Sequence, residues 1–282
     1  MKKIIYKGKI REGAVGTLST EDFEVIYDDE LKYAYLNPFP EINYSDDSYR
    51  TSVNNSNSVN KYFELHDKSC INYLNQYNEY IKRDMVIADV GCGGGSLLDH
   101  ISGICSKTIA IEPNQEYQKD LSRRGHKTYG SIDKAVIEYG NKVDLVVSNH
   151  VIEHVNDPNK FIADIKKLLK PTGIGIIITP NYNDILLKLD FETFAPFFFR
   201  KVHPLYLTSE SLQLILEKND LKYLETKFIH EFGMANALNW IKLKKPTGNN
   251  PIEGINNLAD NLWKSYLVQT GQTKDFAIIF EK

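Results

Sequence analysis

Residues 86 to 96 constrain the fold more tightly than any other stretch of this chain. Val86-Ile87-Ala88-Asp89-Val90 is an apolar run carrying one acid, and Gly91-Cys92-Gly93-Gly94-Gly95-Ser96 breaks it at once with closely spaced glycines. The run reads as a buried strand. The glycines read as a tight turn into the first turn of a helix, where backbone N–H groups lack partners and can meet a ligand. The segment therefore predicts an α/β fold with a nucleotide-like ligand.

Spacing narrows the ligand. A dinucleotide fingerprint wants Gly-x-Gly-x-x-Gly, whereas Gly91, Gly93 and Gly95 alternate and Ser96 occupies the third glycine's place. Asp89 would be a poor neighbour for a pyrophosphate but suits a ligand that carries an ammonium group and a sulfonium. S-adenosylmethionine (SAM) carries both. A second short apolar run, Lys107 to Ile111, ends in Glu112-Pro113-Asn114. A carboxylate there can accept hydrogen bonds from two ribose hydroxyls, and Pro113 presets φ for entry into the next helix.

The pair Asp89-Val90-Gly91-Cys92-Gly93-Gly94-Gly95 and Ile111-Glu112-Pro113 resembles the SAM-dependent methyltransferases of the Rossmann-like class. The run Val143 to Pro158, with Ser148-Asn149-His150-Val151-Ile152-Glu153-His154, is similar to the fourth-strand segment of that family's ubiquinone-type and sugar-modifying branches. The resemblance covers residues 80 to 180 well and the remainder weakly. It implies that Asp89, Gly91, Gly93, Gly95, Glu112, Pro113, Ser131, Ile132 and Asn149 bind the cofactor. Ser131 stands where the family usually has an acid contacting the adenine amino group, so its hydroxyl or the nearby Asp133 has to substitute.

Composition sets outer bounds. The 282 residues suffice for one large α/β domain with additions, or for two modest domains. With 34 basic and 37 acidic residues the net charge is −3, which gives no global reason to expect nucleic acid. Lys242-Leu243-Lys244-Lys245 is a local basic patch, expected on a solvated loop. Cys70, Cys92 and Cys105 show no metal-ligand spacing and leave one thiol over in any disulfide scheme, which favours a reducing cytoplasm. No signal peptide is visible, and no apolar stretch approaches the ~20 residues needed to cross a bilayer.

Alternation of short β-rich and amphipathic runs predicts strands at 85–90, 107–112, 126–129, 143–148 and 173–179, with helices at about 96–104, 114–124, 132–139 and 158–170. This rhythm implies a doubly wound, mostly parallel sheet with helices on both faces and the ligand at the strands' carboxyl ends. The family's fold has seven strands and an antiparallel C-terminal hairpin, matched here by runs 221–229 and 275–280. Residues 1–58 are expected as an N-terminal extension capping the substrate, and 59–282 as the SAM-binding domain with a lid-like insertion at 181–210. Phe23 to Tyr27 reads as a strand, and the polar stretch Ser52 to Asn60 as a connection or helix start. Tyr62, Leu65, Ile71, Leu74 and Tyr77 approximate helical spacing in a segment running to Arg83. Phe191, Phe194, Phe197, Phe198 and Phe199 read as a lid, a membrane-surface helix or plain core, the first and last being favoured.

Methyl transfer from a sulfonium is an in-line displacement that needs positioning and no metal. A hydroxyl acceptor must lose a proton, and histidine is the side chain whose ordinary pKa suits that task. The candidates, in order, are His203, His150 and His154. Val202-His203-Pro204-Leu205-Tyr206 resembles the Glu-His-x-x-Tyr segment of deoxysugar C-methyltransferases, with Val202 replacing the glutamate. His150, Glu153 and His154 lack the further ligand spacing a zinc site requires. The expected reaction is O-methylation of a small polar or sugar-type acceptor, such as a sugar or sugar nucleotide. N- or C-methylation and a non-catalytic partner module are the alternatives.

Overall fold

The computed structural model describes residues 1–13, 15–44 and 58–282. In chain order the elements are β1 (Lys2–Gly8), β2 (Phe23–Asp28), β3 (Tyr33–Asn37), α1 (Val59–Tyr77), β4 (Val86–Val90), α2 (Ser96–Ile101), β5 (Lys107–Ile111), α3 (Gln115–Arg123), β6 (Lys127–Tyr129), α4 (Ile132–Tyr139), β7 (Val143–Asn149), α5 (Pro158–Leu168) and β8 (Leu169–Pro180). They continue with α6 (Ile185–Leu189), α7 (Phe191–Phe198), β9 (Leu205–Tyr206), α8 (Ser209–Lys218), β10 (Lys222–Ile229), α9 (Met234–Leu243), α10 (Asn257–Thr270) and β11 (Asp275–Glu281). The chain divides into two compact units. One comprises Met1–Pro40, Thr179–Ser211 and Thr226–Ala277, and the other Glu41–Ile178, Leu212–Glu225 and Ile278–Lys282.

The larger unit holds most of a seven-stranded sheet in the order β10-β11-β8-β7-β4-β5-β6. β4 pairs in parallel with β5 and β7, and β7 with β8; the C-terminal strands run antiparallel. Ile87, Ile109, Leu145, Val146 and Ile176 are fully buried, as expected of central strands covered on both faces. Each such side chain contributes about 1.5–3 kcal/mol of hydrophobic stabilisation. After β4 the chain winds outward through β5 and β6, then returns to start β7 on β4's other side. That reversal opens a crevice at the carboxyl ends of β4 and β7.

The smaller unit contains an antiparallel sheet in the order β1-β2-β3-β9. Its core gathers Phe23, Val25, Leu36, Phe194, Phe199, Tyr206 and Trp240. Phe194 packs edge-on against Trp240 at 4.9 Å and Phe199 against Tyr206 at 4.8 Å. The phenylalanine run is therefore core, because its rings find one another and a tryptophan.

Other expectations shift. α1 starts after Ser58, whose side chain accepts from Lys61 N at 3.2 Å, and ends at Tyr77. Its buried positions are Cys70 and Tyr77, whereas Leu65 and Ile71 are exposed; the inferred apolar stripe was displaced around the helix. Most of the polar stretch before Ser58 lies outside the described residues. Lys242 closes α9 and Lys244 is its left-handed cap at φ 54°, so the basic patch is a helix terminus, where cations are favourable, and not a loop. β10 and β11 are the expected antiparallel C-terminal pair, with α9 and α10 between them in sequence.

Candidate active site

Register brings the site together. Asp89 lies opposite Ala110 on β5 and Val147 on β7, which sets Asp89, Glu112 and Asn149 along one edge of the sheet. Gly91 has φ 74°, and a Cβ built there would fall 2.3 Å from a Val151 methyl, so the turn excludes any side chain. At Gly93 a Cβ would lie 2.6 Å from the Tyr62 ring, whose hydroxyl donates to Cys92 O at 3.4 Å. The glycines thus serve close packing within the protein as well as any ligand.

Glu112 is 2 % exposed. Its Oε2 accepts from Gly93 N at 2.8 Å and its Oε1 from Asn114 N at 3.0 Å, which ties the glycine loop to the end of β5. Each carboxylate oxygen can accept a further hydrogen bond. Asn114 caps α3, so Pro113 stands one residue outside that cap rather than at the first helical position. Ser131 likewise caps α4, accepting from Lys134 N at 3.4 Å. Ile132 follows as that helix's first residue.

Three observations fit SAM to this edge. Asp89 is buried, and its carboxyl is pushed up to about 8 by desolvation and then by the Glu112 charge. Among the described residues no cation pairs with it. Ser96 Oγ and Asn149 Oδ1 are buried polar atoms without a hydrogen-bond partner, while Asn149 Nδ2 donates to Tyr77 Oη at 3.3 Å. A ligand carrying an ammonium and a sulfonium beside hydrogen-bonding groups supplies what each of these lacks.

Beyond Asn149 the backbone turns sharply. His150 adopts φ 54°, a left-handed conformation uncommon for a residue with a side chain, and donates its N–H to Ile178 O at 2.8 Å. Its Nδ1 lies 3.3 Å from Glu153 Oε1 and its Nε2 2.8 Å from Tyr73 Oη. Burial would raise Glu153, yet the hydrogen bond from His150 and the charges of His154 and His150 hold its carboxyl below the ordinary value. His154 Nδ1 is 3.3 Å from Tyr44 Oη. His203 is a buried residue of the smaller unit, and its N–H donates to Arg200 O at 3.0 Å. Tyr73 and Tyr44 carried no motif that could have singled them out, and Tyr62 was legible only as part of an apolar helix face.

This is the architecture of a class I SAM-dependent methyltransferase, and SAM is its cofactor. Residues 62–226 match the family model described as a methyltransferase domain, and the chain belongs to that family. Human mitochondrial ubiquinone biosynthesis O-methyltransferase is 31% identical over 152 residues, covering 49% of this chain and 41% of that one. The corresponding Bartonella quintana protein is 32% identical over 107 residues, covering 35% and 42%. The chain thus spans less than half the length of these relatives. A SAM-dependent methyltransferase from Archaeoglobus fulgidus shares the fold with a TM-score of 0.55 at 19% identity, over 79% of this chain and 97% of that one. Among the described residues no helix is long and apolar enough to cross a membrane.

Proposed function

We propose that the enzyme methylates a hydroxyl group of a small polar acceptor, a sugar or sugar nucleotide being the class favoured by the sugar-modifying resemblance. The resembling ubiquinone enzymes are O-methyltransferases by name, which supports oxygen as the acceptor atom. The observation that carries the reading is the buried Glu153 aimed at His150 Nδ1. A carboxylate on Nδ1 favours the tautomer with its proton there, which turns Nε2 into the basic nitrogen. A hydroxyl already stands against Nε2 in the form of Tyr73 Oη.

SAM, when bound, supplies an electrophilic methyl carbon on a sulfonium. The chain's own residues then have two tasks. Asp89, Ser96, Glu112 and Asn149 hold and orient the donor, which is where most of the rate gain of a displacement arises. His150 accepts the acceptor's hydroxyl proton at Nε2, with Glu153 stabilising the imidazolium that results. We assign the base to His150 ahead of His203 and His154 because one of its ring nitrogens faces a buried carboxylate and the other a hydroxyl. The free thiols Cys70, Cys92 and Cys105 support a reducing compartment such as the cytoplasm.

Incubating the enzyme with cell extract and isotopically labelled SAM should place the label on an oxygen of one small product. With that acceptor, His150→Gln is expected to lower kcat by about 10²- to 10⁴-fold with SAM affinity unchanged. Label on nitrogen or carbon, or undiminished kcat, would contradict the reading.

A further inference from the structure

The smaller unit holds two arginines that form no ion pair among the described residues. Arg11 is 4% exposed, and Arg200 is partly buried. Arg11 N donates to Phe199 O at 3.0 Å and Lys201 N donates to Arg11 O at 2.9 Å, a parallel bridge that sets Arg11 directly opposite Arg200. Residues so opposed project from the same face, roughly 5 Å apart at their Cβ atoms. An antiparallel bridge places His203 opposite Arg200 in turn, so three basic side chains share that face.

The contrast with Lys201 is informative. Lys201 alternates to the opposite side, where Glu12 and Glu21 meet its ammonium at 2.9 and 3.0 Å. Among the described residues no carboxylate lies within ion-pair distance of either guanidinium, although Asp275 attracts Arg200 from farther away. Arg11 Nε and Arg200 Nε are both buried with no hydrogen-bond partner. Desolvation depresses the Arg200 guanidinium below its ordinary value.

The Arg11 guanidinium and the Arg200 backbone are nevertheless held in place. The Arg11 guanidinium lies 4.5 Å from the centre of the Phe197 ring, and Tyr206 Oη accepts from Arg200 N at 2.7 Å and donates to Arg200 O at 3.1 Å. Two largely desolvated arginine side chains on one face lack acceptors for their Nε hydrogens. That deficit vanishes if an anion with two or more oxygens lies between them, since a guanidinium fork matches phosphate and carboxylate oxygens in pairs.

We infer that Arg11 and Arg200 form a binding site for an oxyanion, the phosphoryl or carboxylate group of a small molecule. Inorganic phosphate and acetate, titrated separately by calorimetry at constant ionic strength, distinguish the two chemistries. Saturable one-to-one binding of either is expected, weakened at least tenfold in Arg11→Gln and in Arg200→Gln. SAM binding serves as the folding control and should be unchanged in both variants. Absence of saturable binding by both anions, or equal affinity in the variants, overturns the assignment. Should the variants fail to fold, wild-type crystals soaked in tungstate decide: heavy-atom density between the two guanidiniums supports the site, and density only elsewhere refutes it.

Discussion

In the proposed reading, Asp89 is the residue on which cofactor recognition turns. Its carboxyl is pushed up to about 8 by burial and by Glu112, so near neutral pH the ligand-free protein keeps a proton there. A cationic ligand favours the ionised form, so affinity for SAM should rise as pH increases from 6 towards 8. Asp89→Asn retains the shape without the charge. It is expected to weaken SAM binding at least tenfold, about 1.4 kcal/mol, measured at pH 8. Equal affinities would show that the carboxylate does not meet the ligand's cationic end.

At the scale of elements, the β4 to α2 turn depends on close approach. Gly93 sits at φ 57° with the Tyr62 ring over it, so Gly93→Ala should destabilise the protein by about 1–3 kcal/mol in urea titrations. Adding Tyr62→Ala should recover part of the loss, with a coupling of about 0.5–3 kcal/mol. Strictly additive effects would mean that the ring does not limit the turn. β4, β5, β7 and β8 were legible because strands buried on both faces are written as unbroken apolar runs. Asp89 and Glu112 were legible because they lie at the carboxyl ends of those runs. The second sheet was not, since β9 is only Leu205–Tyr206 and its partner β3 lies far away in sequence. α10 was missed because Leu258, Leu262 and Tyr266 face solvent and blur its polar side. Tyr73 was not legible because its pairing with His150 depends on how α1 lies against the sheet.

For the whole molecule, stability without ligand should fall between pH 6.5 and 8. Asp89, raised to about 8, and Asp184, pushed up to about 7 chiefly by burial, both bind more protons folded than unfolded. Their contributions are fully present below the ordinary carboxylate range and are lost as pH rises through the folded values. His230, lowered to about 4 by burial, acts in the opposite sense only below about 6.5, which leaves the higher window clean. Thermal melts should show Tm declining across that window in the wild type and less steeply in Asp89→Asn. Parallel slopes would remove Asp89 from the explanation.

The most direct test titrates SAM into the protein at pH 7 in two buffers of very different ionisation enthalpy. One site per chain is predicted, with a heat that differs between the buffers because Asp89 releases its proton on binding. A titration without heat or thermal stabilisation would contradict the SAM site itself. Identical heats in both buffers would contradict the role given to its buried acid.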